Sequence, residues 1–316
     1  MPFDVAISTE NGHSIITLND QSNHSSVEVY SFGALLNKFI VPHDNDFINV
    51  IDGYSNVADA IENLTPYFKS AKLSPFPCRI KNGKYKFGEH DYQFNKYLPN
   101  GQALHGVIFD KNFTINNVIE TDNEATVVLE CVYDNATEGF PFKYKCSVEY
   151  KLSANNRLTV STTITNTDKQ PMPIGDGWHP YFTLGDSINE YLVEFQSKEM
   201  IEFDDDLIPT GKLISYEEFG SLKKFGSTFF DNCFTLNFAE CQPMCVIRNP
   251  ARKVQVEFYP DKSYPFLQFY TPPMRNSIAV ENLSAAPDAF NNGMGLKILQ
   301  PEEAATFTVQ YVIRSL

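Results

Sequence analysis

Period-two alternation dominates the chain. Tyr144, Cys146, Val148, Tyr150 and Leu152 alternate with polar neighbours, and Leu158, Val160, Thr162 and Ile164 do the same. The rhythm returns at Val254, Val256 and Phe258, and again at Phe307, Val309, Tyr311 and Ile313. Successive side chains of a strand point to opposite faces, so each run predicts a half-buried antiparallel strand. Turn residues cluster between the runs, at Ser153-Ala154-Asn155-Asn156, Asn166-Thr167-Asp168-Lys169 and Asn249-Pro250-Ala251-Arg252. Helical signal is scarce. Asn56 to Leu64 predicts one short helix capped by Ser55 or Asn56, and Tyr216 to Phe219 predicts the start of another. No strand–helix–strand rhythm, internal repeat or low-complexity linker appears. The expectation is an all-β protein, one domain over residues 1–316, folded as a large antiparallel β-sandwich with few short helices.

Composition narrows the partners. The 316 residues include 26 Phe and 16 Tyr, which suit strands and also line sugar sites. The net charge of −14 repels phosphate backbones and anionic lipid, so nucleic acid and membrane surfaces are poor partners. Met1 to Glu10 lack the basic and apolar segments of a secretion signal, and no run of about eighteen apolar residues occurs. The expected location is the cytoplasm. The cysteines at 78, 131, 146, 233, 241 and 245 form no CxxC pair. Cys131 and Cys146 read as buried thiols. Cys233, Cys241 and Cys245 cluster loosely without a nearby His, a poor metal site, so no metal is expected.

Several chemistries lack their usual signatures. There is no GxGxxG after a strand, no Walker A loop, no GxSxG and no HExxH. His, Asp, Glu and Arg remain. Arg79 follows a proline-stiffened approach, Ser74-Pro75-Phe76-Pro77-Cys78. His105 sits beside Gly106. His179 follows Pro173-Ile174-Gly175-Asp176-Gly177-Trp178 and precedes Pro180-Tyr181-Phe182, and the flat faces of Trp178 and Tyr181 would suit a pyranose. Glu281 interrupts the apolar run Ile278-Ala279-Val280 and shares a face with Ala279. Asp231 follows Phe229-Phe230. Each residue alone also has a plain structural reading: a surface Arg, a satisfied His, an aromatic corner, a strand-end Glu.

Together and in this order, these segments resemble the aldose 1-epimerase (galactose mutarotase) family, from about Val29 to Ile313. The most specific matches are His179-Pro180-Tyr181-Phe182-Thr183-Leu184, Leu207-Ile208-Pro209-Thr210-Gly211, and Glu281 followed by Pro287-Asp288-Ala289. The resemblance implies a very large antiparallel β-sandwich. It implies Glu281 as catalytic base and His179 as catalytic acid. It also implies His105 as the second active-site His, and Arg79 and Asp231 as the residues that hold sugar hydroxyls. With Trp178 added as a stacking face, these are the expected site residues. Where typical members carry Asn before the Arg, this chain has Cys78, and Val107 stands where many have a second glycine. Asp176-Gly177-Trp178 replaces smaller polar residues. All three departures are expected in the pocket wall.

The implied chemistry is ring opening of a cyclic aldose, a hemiacetal, followed by rotation and closure on the other face. A carboxylate at its ordinary pKa of about 4.3 would take the C1 hydroxyl proton, and a His near about 6.5 would protonate the ring oxygen. The resemblance calls for no cofactor, and the expected partner is a small aldose, with the protein a monomer or homodimer. Three other readings stay open. A hexose-6-phosphate mutarotase would want cations around a phosphate, from Lys69, Lys72, Arg79, Lys81 and Lys84. A glycosidase would pair Glu281 with Asp231. A sugar-binding or regulatory module would use the same fold without turnover.

Overall fold

The alternating runs pair as the pattern predicts. In the computed structural model, which describes residues 1–134 and 138–316, Tyr144–Ser153 and Arg157–Asn166 form a hairpin across the Asn155-Asn156 turn. Every second side chain from Tyr144 to Leu152 is buried. Arg157–Asn166 pairs next with Ala304–Ser315, which pairs in turn with Val254–Pro260. These strands lie inside a nine-stranded antiparallel sheet that runs from Thr114–Glu120 to Lys223–Lys224.

An eight-stranded antiparallel sheet packs against it and carries most of the candidate chemistry. Its order is Pro209–Ser215, Glu199–Phe203, Asp231–Thr235, Phe266–Tyr270, Ile278–Leu283, Gly177–Trp178 and Lys72–Leu73, with Tyr181–Phe182 also paired to Ile278–Leu283. Phe182 joins the two sheets, its ring 4.8 Å from Phe258 and 5.3 Å from Tyr311. Burying one such aromatic is worth roughly 1.5–3 kcal/mol. A five-stranded meander from Phe3–Glu10 to Asp46–Asn49 completes the architecture, and its apolar face joins the same core. The result is a large antiparallel β-sandwich.

The helix Val57–Tyr67 forms where the sequence places it. Asn56 caps it by accepting from the Asp59 N–H at 2.9 Å. It continues past Leu64 through Pro66 and ends at Phe68, a left-handed residue (φ 52°) whose N–H returns to Leu64 O at 2.7 Å. That last turn, Thr65 to Phe68, reaches the candidate site. The second expected helix does not form. Tyr216 and Phe219 instead stack on Phe195, at 6.3 and 5.9 Å, and pull a short loop onto the core. Among the described residues no helix is long and apolar enough to cross a membrane.

Candidate active site

Two backbone zippers fix the charged and imidazole groups. Arg79 pairs with Leu104 across a short ladder, and the His105 N–H donates to Cys78 O at 2.8 Å. Behind them, Gly106 bridges to Ser74, and Val107 N–H donates to Ser74 O at 2.8 Å. A Cβ on Gly106 would lie 2.1 Å from Ser74 O, and its φ is 81°, so only glycine permits this approach. His105 therefore turns into the site from a left-handed backbone (φ 61°). On the eight-stranded sheet, Gln268 lies opposite Glu281 and Asp231 opposite Tyr270. Period-two geometry sends these four side chains to one face. His179 enters from the neighbouring segment, its N–H donating to Ala71 O at 3.1 Å and its carbonyl accepting from Ser70 N–H at 2.9 Å.

These groups converge on a cavity of about 180 Å³. His179 Nε2 lies 3.4 Å from Glu281 Oε1, and both residues are buried, 6% and 2% exposed. Arg79 Nη2 lies 3.8 Å from Asp231 Oδ2, and Gln268 donates to Asp231 Oδ1 at 2.9 Å. The His105 ring meets His179 edge-on at 5.1 Å, and Tyr181 stacks on His179 at 5.2 Å. Glu281 Oε2, Gln268 Oε1 and the Nδ1 atoms of His179 and His105 find no protein hydrogen-bond partner. An unpaired buried polar atom costs about 1–3 kcal/mol, so several in one cavity mark a place built to meet polar groups from outside.

Burial also sets the protonation states. It pushes the Glu281 carboxyl well above the carboxylate range; Asp231 adds to this and Arg79 opposes it. It pulls His179 down to about 4, helped by the Arg79 charge, and holds His105 well below the usual imidazole value. Asp231 is raised by burial against the pull of Arg79 and Gln268. The sequence-based expectation of ordinary values for Glu281 and His179 is thereby corrected. Low polarity favours a neutral carboxyl beside a neutral imidazole. That neutral pair and the carboxylate–imidazolium pair hold the same number of protons and differ only in where one sits.

Glu281, His179, His105, Arg79 and Asp231 all line the one cavity. Trp178 does not. Strand alternation turns it to the opposite side from His179. There its ring lies 4.4 Å from Lys72 Nζ, and its Nε1 donates to Thr162 Oγ1 at 3.3 Å. Asp176 is buried with Lys72 on that same side, so of the three departures from the family pattern only Cys78 reaches the pocket wall. Of the lysines weighed for a phosphate, Lys69 pairs with Asp52 at 2.7 Å, Lys72 is fully buried, and Lys81 approaches Asp204 at 3.9 Å. Lys84 borders a separate groove. Cys233 and Cys245 lie on different sheets, and no cluster of metal-ligating side chains occurs among the described residues. Gln268, Tyr270, Tyr97 and Phe68 also line the cavity, although their sequence neighbourhoods did not single them out. Gln268 interrupts the apolar Phe266-Leu267-Gln268-Phe269, the same signal that exposed Glu281.

The large antiparallel β-sandwich is a galactose mutarotase-like fold. The family model described as Aldose 1-epimerase matches residues 14–312. The chain belongs to the aldose 1-epimerase family, whose function is of the mutarotase type. It is 30% identical over 237 residues to the uncharacterized protein YihR of Escherichia coli K12, covering 72% of this chain and 73% of that one. It is 25% identical over 207 residues to an aldose 1-epimerase of Streptococcus thermophilus, covering 63% of this chain and 58% of that one. Among solved structures, a galactose mutarotase-like protein from Clostridium acetobutylicum superposes with a TM-score of 0.86 at 17% identity, over 100% and 99% of the two chains. Galactose 1-epimerase from Lactobacillus acidophilus gives 0.84 at 16% identity, over 99% and 98%. At such identities the likeness is one of fold.

Proposed function

We propose that the protein is an aldose 1-epimerase that interconverts the α and β anomers of a free aldose such as glucose or galactose, with Glu281 as base and His179 as acid. The observation that carries this reading is the 3.4 Å approach of His179 Nε2 to Glu281 Oε1 beside an unpartnered Glu281 Oε2. Glu281 takes the proton from the C1 hydroxyl as His179 gives one to the ring oxygen. The C1–ring oxygen bond breaks, C1 becomes an aldehyde, and its plane turns about C1–C2. The same two transfers, reversed, close the ring on the other face. Each group contributes roughly 10²–10⁴-fold, and their effects do not add independently.

The burial of the pair has a part in this. The reaction begins from carboxylate and imidazolium and reaches the open-chain intermediate with both neutral. Low polarity favours that neutral state before the sugar binds as well, so the carboxylate–imidazolium start is the minor form of the pair, and hydrogen bonds from the sugar to the unpartnered Glu281 Oε2 help to populate it. Arg79 favours the Glu281 carboxylate and disfavours the His179 imidazolium, so its two effects on the pair oppose each other. Arg79, Asp231 and the free Gln268 Oε1 hold hydroxyls remote from C1. Arg79 is the one Lys or Arg side chain lining the cavity among the described residues, and it is shared with Asp231. That supports an uncharged sugar over a hexose 6-phosphate. Polarimetry on freshly dissolved α-glucose and α-galactose tests the proposal. The wild type is expected to speed the approach to equilibrium, and Glu281→Gln and His179→Asn to lose most of that effect. If no aldose equilibrates faster with the protein than without it, the reading is wrong.

A further inference from the structure

Behind the cavity lies a second buried pair with no part in the proton transfers. Lys72 and Asp176 are both 0% exposed, with Lys72 Nζ 2.5 Å from Asp176 Oδ1. The ammonium also donates to Gly177 O at 3.0 Å and sits over the Trp178 ring. The Tyr264 hydroxyl donates to Asp176 Oδ2 at 2.7 Å. Two apolar residues of similar volume would avoid the desolvation that such a pair incurs, and are often as stable or more so. Net stability is therefore a poor reason for its presence.

Its connections suggest another. The segment 175–179 carries His179, and Ile278–Leu283 carries Glu281. Asp176 N–H donates to Ser284 Oγ at 2.7 Å, and Ser284 N–H donates back to Asp176 O at 2.8 Å. Gly177 lies opposite Leu283 on one side and Leu73 on the other, and Trp178 lies opposite Lys72. Lys72 thus grips the 176–178 segment at its Asp176 carboxylate, Gly177 carbonyl and Trp178 ring. Asp176 in turn ties that segment to the strand end two residues beyond Asn282. A slip of either segment would change the distance between His179 and Glu281.

We propose that Lys72 and Asp176 are positioning residues that set the approach of His179 to Glu281 from behind the site. The proposal rests on the reading of those two residues as the acid–base pair. Lys72→Met combined with Asp176→Asn removes both charges at nearly constant volume, and Ser284→Ala cuts the side-chain tie alone should the double variant fail to fold. Two readouts apply: steady-state mutarotation, and the titration of the His179 imidazole by NMR in the sugar-free protein. Glu281, His105, Arg79, Tyr181, Tyr270 and Asp231, which face or surround His179, stay unchanged in these variants. The double variant is expected to lose about 10- to 100-fold in kcat, as misplacement of a reacting group by an ångström does, with KM held within about threefold. The His179 midpoint is expected to rise toward the ordinary imidazole value as the ring loosens. Ser284→Ala should move both in the same direction and by less. An unmoved His179 titration in a folded variant overturns the proposal, whatever happens to kcat. If instead the wild type speeds no aldose but the titration moves, the functional reading fails and the positioning role stands.

Discussion

Two buried pairs lie three residues apart in the chain, at Asp176 and His179, and the molecule treats them oppositely. Lys72–Asp176 is closed: a carbonyl, an aromatic face and a tyrosine hydroxyl surround it. His179–Glu281 is open: Glu281 Oε2 and His179 Nδ1 have no protein partner and border a cavity. Both pairs are costly to bury. In the first, surrounding contacts offset the cost and hold the segment still. In the second the cost is left uncovered, and the unmet hydrogen-bonding capacity is what a sugar hydroxyl would satisfy. Burial alone therefore does not mark an active site; burial with unsatisfied atoms facing a cavity does.

The contrast breaks most visibly if the open pair is altered. Glu281→Gln and His179→Asn are each expected to lower kcat by about 10²–10⁴-fold, measured by polarimetry, with the circular dichroism spectrum unchanged. Next in size is Arg79→Met, which removes a charged hydroxyl contact. A loss of roughly 10- to 100-fold in kcat/KM is expected, carried mainly by KM.

A smaller effect appears in stability. Glu281 has a raised pKa in the folded state, so above its unfolded value near 4.5 the unfolded chain gives up a proton that the folded chain keeps, and stability falls as pH rises. His179, lowered to about 4, does the reverse: between about 4 and 6.5 only the unfolded chain holds that proton, and stability rises with pH. The two slopes oppose each other between about pH 4.5 and 6.5 in the wild type. Glu281→Gln removes one of them. Denaturant melts of that variant should show a steeper rise with pH in this window, and a gain over the wild type at pH 7. The smallest effect belongs to Trp178→Phe. Because the ring covers Lys72 rather than sugar, KM should change by less than about twofold, while the melting temperature falls.

Much of this was legible in the chain. Alternation located the long strands because each has one wet and one dry face, as at Tyr144 to Leu152. Glu281 was legible as a carboxylate inside an apolar run, and Gln268 carried the same signal unread. Trp178 misled because its sequence neighbourhood is that of His179, whereas its side chain follows the other strand face. Tyr216 to Phe219 misled because short aromatic spacing fits a helix as well as a loop drawn onto Phe195. The closed pair was beyond reach, since Lys72 and Asp176 are 104 residues apart (176 − 72) and meet only through sheet pairing. The shifted pKa values were beyond reach for the same reason, because they come from burial that strands far apart in the chain create together.

The most direct measurement is a crystal structure with galactose or glucose bound. The C1 hydroxyl is expected within about 2.6–3.2 Å of a Glu281 carboxylate oxygen and the ring oxygen within the same range of His179 Nε2, with Arg79 and Asp231 on hydroxyls away from C1. A sugar bound with C1 turned toward Arg79 and Asp231, or one that leaves Glu281 and His179 untouched, would contradict the assignment.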